Sequence, residues 1–167
     1  MGDGPERSAI MTRVRELGLA QQVTFTGIKR GSELARFIAR HRVMAVPSRC
    51  VEGFGLVAIE GIACGCVIVG SHIGGLPEAI GPCGITVPTE DRWALAREIK
   101  LLLEDDSLRA RYRSCAPVHL SRHSRVNIAR SYLNVLESAA SHFSRARLRT
   151  TKLAHILIGL YCWTTAC

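Results

Sequence analysis

Residues Arg42 to Gly70 read RVMAVPSRCVEGFGLVAIEGIACGCVIVG. An apolar run, RVMAVPS, has strand character and leads into a polar loop with two glycines. A helical run follows, LVAIEGIACG, and then a second apolar run, CVIVG. Neither strand run alternates polar with apolar residues, as expected of parallel strands covered on both faces. Parallel neighbours need a crossover connection, and the helical run between them supplies it.

The rest of the chain extends this pattern in both directions. GDGPERSAIMTRVRELGLA reads as a glycine turn, a proline at the first helical position and an amphipathic helix ending near Gly18. QVTFTG reads as a short strand closed by Gly27, and GSELARFIARH as a helix with Ser32 as its cap. After a loop, SHIGGLPEAIG, the run GITV reads as a further strand, and from Thr89 onward the pattern is helical. The fold class expected is α/β, a Rossmann-like parallel sheet flanked by helices. Ligands in such sheets sit beyond the carboxyl ends of the strands. The glycine-rich loops at Gly2–Gly4, Gly27, Gly53–Gly55 and Gly74–Gly75 are therefore expected on one edge.

With 167 residues, 47% hydrophobic and 22% charged, the chain has a globular balance and room for one ordinary domain. The net charge of +8 is unevenly distributed. Residues 107–152 hold ten Arg and Lys against Glu137 alone, whereas residues 1–106 are nearly balanced. Few aromatics and no nucleic-acid motif accompany the basic stretch, so it reads as a solvated helical face and no nucleic-acid partner is expected. Seven cysteines without a signal-peptide pattern suggest reduced thiols in a cytoplasmic protein. Cys64 and Cys66 lie within an apolar run and read as small hydrophobes, and no metal site is expected. Residues 143–167 read as a basic and then apolar tail, separate from a domain over 1–142. LAHILIGLYCWTTAC is too short to span a bilayer comfortably. It suits a peripheral membrane contact or docking on the domain or on a partner chain.

The polar loop holds the chemistry. Gly53 and Gly55 let the backbone approach a ligand, and the N–H groups of Phe54 to Val57 would form a helix N-terminus suited to phosphate. Glu52 lies just outside that seat and Glu60 about one turn inside the helix. Carboxylates repel phosphates, so their natural targets are hydroxyl groups, with a sugar at one end of the phosphates and a ribose at the other. A first-turn glutamate also suits the helix dipole, but the glycine pair and the neighbouring loops favour the ligand reading. GFGLVA fits a dinucleotide fingerprint as written. The intervening PSRCVE and the lack of an acid near HIGG argue against nicotinamide binding.

These residues resemble a known family. VPSRCVEGFGLVAIEGIACGCVIVGSHIGGLPEAI is similar to the donor-binding, C-terminal half of retaining glycosyltransferases of family 4, which have the two-domain GT-B fold. GDGPER, VTFTGIKRGSELARFIA, GITVPTEDRWALAREIKLLLEDDSLRARY and NIARSYLNVLES agree in order and spacing, so the resemblance covers residues 1–138. It implies sugar transfer from a nucleotide diphosphate sugar with retention of configuration, and needs no cofactor or metal. Carried across, Glu52 would contact the donor sugar as the catalytic carboxylate and Glu60 the ribose. Gly53, Phe54, Gly55, Leu56 and Val57 would hold sugar and diphosphate. Ile28 would meet the base through its main chain, and Gly2 and Gly4 would form the family's glycine turn. Apart from the resemblance, Lys29 is a candidate to reach the phosphates or the base rim.

In the family a strand–helix–strand unit with a diphosphate-gripping Arg and Lys precedes GDGP, and a whole N-terminal domain precedes that. Neither is in this sequence. The resemblance therefore implies an N-terminal GT-B domain or partner chain, or else a non-catalytic nucleotide-sugar-binding subunit. In the sheet order 3-2-1-4-5-6, QVTFT would be cut off from the other strands, or would move beside VMAV. His72 and Arg30 are secondary candidates for the donor pocket. PCG at 82–84 reads as a turn before a strand, and His119 and His123 as surface residues.

Overall fold

The computed structural model describes residues 3–141. Helices α1 (Arg7–Glu16) and α2 (Gly31–Ile38) come first. Strand β1 (Val43–Val46), helix α3 (Leu56–Ala63), strand β2 (Val67–Ser71) and helix α4 (Leu76–Ile80) follow. A 3-10 turn, Gly81–Cys83, then leads into strand β3 (Gly84–Val87) and helices α5 (Arg92–Glu104), α6 (Asp106–Ser114) and α7 (Ala116–Arg122). The chain divides into two compact units, one reaching Leu120 and the other starting at Ser121. In the second unit a helix, α8, covers 125–141. It is capped by Ser124, whose hydroxyl accepts the Asn127 N–H at 3.3 Å. Among the described residues, no helix is long and apolar enough to cross a membrane. The tail at 143–167 lies outside the described residues, as does Gly2.

In the first unit the three strands form a parallel sheet in the order β1-β2-β3, with Val43 opposite Val67 and Val69 opposite Ile85. The fold is thus α/β, a parallel sheet flanked by helices, as the run Arg42–Gly70 predicts. The central strand shows why its sequence is apolar without interruption. Val67 and Val69 face a cluster with Val87, Ala94 and Leu102, beneath α5 and α6. Ile68 faces the opposite cluster, with Ala58 and Ile62 of α3 and with Leu76, Ala79 and Ile80 of α4. Each of the three strand residues is fully buried. Burying such side chains contributes roughly 1.5–3 kcal/mol apiece. Gly61 lets α3 lie close to the sheet: a Cβ there would stand 2.6 Å from the Met44 sulfur and 2.7 Å from Ile68 Cδ1.

Five features differ from the sequence expectation. Pro5 is a turn residue before the Glu6 cap of α1, not its first helical position. Residues 22–26, QVTFT, form no strand. A strand needs a ladder partner for its backbone groups, and among the described residues β1 is hydrogen-bonded to β2 alone. The loop SHIGGLPEAIG contains α4, which begins directly after Gly75 with Pro77 in its first turn. Such a position suits proline, whose missing N–H has no intrahelical role there. The cap of α2 is Arg30, with extended backbone, and Ser32 is already inside the helix. His119 is buried at 4%, against the expectation of a surface residue. Its Nε2 lies 2.8 Å from the Ala79 carbonyl oxygen, and its ring covers Gly81. A buried cation, Arg109, is held by the Leu102 carbonyl and the Asp106 carboxylate.

Candidate donor site at the carboxyl edge of the sheet

The loop from Pro47 to Gly55 leaves the carboxyl end of β1 and returns as α3. Gly55 caps α3 with φ +86, ψ +51, a left-handed conformation that glycine adopts without steric penalty. A Cβ there would also meet Leu76 Cδ1 at 2.8 Å. No side chain caps this end of α3. The first-turn N–H groups of an α-helix have no carbonyl partner within the helix. Leu56 and Val57 occupy those positions, and the helix dipole adds partial positive charge there.

A second loop packs against the first. Gly75 donates its N–H to the Glu52 carbonyl oxygen at 2.9 Å. The approach is so close that a Cβ on Gly75 would stand 2.3 Å from the Gly53 carbonyl oxygen and 2.8 Å from Phe54 Cα. One on Gly74 would stand 2.4 Å from the Glu52 carbonyl oxygen. Two of the glycine-rich loops therefore meet, and Gly74 and Gly75 need glycine because the Glu52 loop occupies the space.

Glu52 is half-buried, and its Oε1 accepts a hydrogen bond from the Ser48 hydroxyl, which orients the carboxylate. Its Oε2 would lie 3.5 Å from a Cβ on Gly55, so the carboxylate borders the capping glycine. Ser48 was not singled out by the sequence pattern. Its place four residues before Glu52 is the one signal that could have found it. Glu60 is exposed one turn inside α3, Leu56 is exposed, and Phe54 and Val57 pack partly against the core. The arrangement presents open N–H groups flanked by two carboxylates, suited to a ligand with phosphates between two hydroxylated ends.

The remaining predicted residues lie in other segments of the chain. Gly4 donates its N–H to the Asp3 carboxylate at 3.0 Å. It lines a groove of about 540 Å3 with Pro5, Ile10 and residues 23–26. The loop at Gly27 and the exposed Ile28 follow that segment. Lys29 pairs with Glu33 and lies 5.4 Å over the Phe37 ring. A hydrogen bond and charge from Lys29 hold the Glu33 carboxyl below the usual carboxylate range. His72 is exposed, its Nδ1 3.1 Å from the Thr86 hydroxyl. Among the described residues, no group of three or more His, Cys, Asp or Glu gathers as a metal site. Cys66 points its thiol toward the carbonyls of Ile38 and His41 at 3.5 and 3.3 Å, and burial pushes its pKa up.

The first unit is thus a parallel α/β unit with apposed glycine loops and an uncapped helix at the carboxyl edge of its sheet. The comparisons with known proteins narrow the class. Residues 1–105 match the family described as "Glycosyl transferases group 1", and the chain belongs to that family. It is 35% identical over 140 residues to a D-inositol 3-phosphate glycosyltransferase of Corynebacterium urealyticum, covering 82% of this chain and 33% of that one. It is 34% identical over 110 residues to an N-acetyl-alpha-D-glucosaminyl L-malate synthase of Bacillus anthracis, covering 65% of this chain and 28% of that one. Among solved structures it is similar to Anabaena HepE in complex with UDP. The TM-score is 0.73 at 26% identity, covering 82% of this chain and 39% of HepE. HepE in complex with UDP-glucose matches with a TM-score of 0.72. The structural neighbours are GT-B glycosyltransferases. The chain spans about a third of the length of the relatives it matches.

Proposed function

We propose that this chain is the donor-binding part of a family 4 retaining glycosyltransferase, acting on a nucleotide diphosphate sugar at the carboxyl edge of the sheet. The observation that carries the reading is the contact between the Glu52–Val57 loop and Gly74–Gly75. It leaves the N–H groups at the start of α3 open between two carboxylates. The diphosphate lies at those N–H groups, Glu52 accepts hydrogen bonds from the donor sugar, and Glu60 does so from the ribose. Ser48 holds the Glu52 carboxylate for this role. Similarity to a structure in complex with UDP-glucose supports the choice of donor class. The enzyme acts in the cytoplasm and uses no metal, since helix N-termini and basic groups neutralise the diphosphate.

One observation favours a supplementary part, either an N-terminal GT-B domain or a partner chain. Among the described residues β1 pairs on one side only. A mostly apolar groove of about 450 Å3 follows Val43 to Ser48, between that strand and Phe37 and Ile38. Isothermal titration of the chain with UDP, GDP and ADP and their sugar conjugates tests the donor reading. Binding should weaken about tenfold in Glu60→Ala, the effect of losing a charged hydrogen bond. A folded chain that binds none of them would refute it. Sugar transfer that appears only on adding the N-terminal part would identify the chain as a subunit.

A further inference from the structure

A second depression opens at the same edge of the sheet, beyond the Glu52 loop. It encloses about 280 Å3 between the turn after β1 and the residues joining β3 to α5. Ser71 and Val87, the last residues of β2 and β3, line it and are themselves almost removed from solvent. Arg49 stands on one side, and Glu90 and Arg92 on the other.

The charges in this cleft are unequally committed. Arg49 and Arg92 come from separate segments, and among the described residues no carboxylate forms an ion pair with either. Asp91 is occupied by α5, where its Oδ1 accepts the N–H groups of Trp93 and Ala94 at 3.1 and 2.9 Å. Glu90 has φ +66 and is the only non-glycine residue with positive φ among the described residues. Strained backbone of this kind gathers at ligand sites, where the surroundings enforce it. Beside the cleft, the Arg92 guanidinium lies 5.5 Å over the ring of Trp93, which is 74% exposed.

We propose that this cleft is a subsite for an anionic polyol, a sugar or cyclitol carrying a phosphate or carboxylate group. Arg49 and Arg92 line the cleft from separate segments, and a guanidinium suits an oxyanion, which it can hold with paired N–H bonds. A site for a bare anion has no use for a carboxylate in its wall. Here Glu90 accepts hydrogen bonds from ligand hydroxyls, and Ser71 adds a hydroxyl at the floor. An uncharged sugar, conversely, would leave both guanidiniums unmatched. The volume of about 280 Å3 admits one six-membered ring with its anionic group.

Isothermal titration of the 167-residue chain with D-glucose 6-phosphate, D-glucuronate, D-glucose and inorganic phosphate tests the proposal. One or both anionic sugars should saturate the chain, and the preferred one names the anion. Glucose and inorganic phosphate should bind at least about tenfold more weakly, because each satisfies half of the site. Arg49→Gln and Arg92→Gln should each weaken the anionic sugar about tenfold. Glu90→Gln should weaken the anionic sugar and leave inorganic phosphate unchanged or tighter. Arg92→Gln should keep the melting temperature and the UDP titration of the parent chain. The proposal is overturned if neither anionic sugar saturates the folded chain, if binding survives the double Arg49→Gln/Arg92→Gln change, or if inorganic phosphate binds as tightly as glucose 6-phosphate. Anionic-sugar binding in a chain that ignores every nucleotide would refute the donor reading and leave the subsite standing.

Discussion

The backbone N–H of Gly75 reaches the Glu52 carbonyl oxygen at 2.9 Å and ties the loop after β2 to the loop after β1. This bond fixes where the Glu52 side chain and the start of α3 stand relative to the sheet. Gly75→Ala would set a methyl group against the Gly53 carbonyl and Phe54 Cα, both backbone atoms that cannot swing away. The loops would separate, at a cost of about 1–3 kcal/mol as for other overpacked sites. A lower denaturation midpoint together with weakened UDP binding is the expected result, read from chemical unfolding and titration of the same preparation.

His119 predicts a stability effect away from the site. Its ring bridges from α7 to the Ala79 carbonyl and covers Gly81. His119→Ala leaves a void and removes the hydrogen bond to the Ala79 carbonyl, which should lower stability by about 2–4 kcal/mol. Urea unfolding should show the loss, and His119→Gln, which keeps a donor, should recover part of it.

Asp105 gives the acid limb of stability a specific contributor. Its carboxylate accepts the Leu108 N–H at 2.8 Å and the Ser107 hydroxyl at 2.7 Å, and these bonds hold its pKa below the ordinary range. A carboxyl whose folded pKa is depressed stabilises the fold above its unfolded pKa, and that contribution disappears as pH falls through the folded value. The melting temperature should therefore drop on acidification below the usual aspartate range. Asp105→Asn, which keeps an acceptor without a titrating charge, should flatten that part of the profile.

The thiols should separate by reactivity. Cys50 is exposed two residues from Glu52, whereas Cys66 and Cys83 are buried, with pKa values raised by burial. The thiolate is the reactive form, so a maleimide at neutral pH should label Cys50 quickly and Cys66 and Cys83 only on unfolding. Bound donor should slow the labelling of Cys50, as peptide mass mapping of the modified chain would show.

The parts of the fold that rest on long apolar runs were legible in the sequence. VIVGS is buried at every residue, VMAV and GITV pair with it on either side, and LVAIEGIA is the crossover between VMAV and VIVGS. The paired glycines and carboxylates likewise marked the loop of Glu52 locally. Relations between distant segments were not legible. VTFT has strand composition, yet pairing depends on a partner that composition does not reveal. Helix α4 is five residues long, too short for periodicity to register. His119 sits among arginines in the chain but against Ala79 and Gly81 in space. Ser48, Arg49 and Arg92 acquire meaning only from the loops they face.

The central claim is that phosphates of a nucleotide sugar lie at the N-terminus of α3. Amide chemical-shift mapping of the chain during addition of UDP-sugar tests it most directly, because the N–H groups of Leu56 and Val57 are the proposed contacts. The account predicts the largest perturbations at Gly53 to Val57, with secondary ones at Gly74 and Gly75, all reduced in Glu60→Ala. Saturable binding that leaves the amides of Gly53 to Val57 unmoved would contradict it.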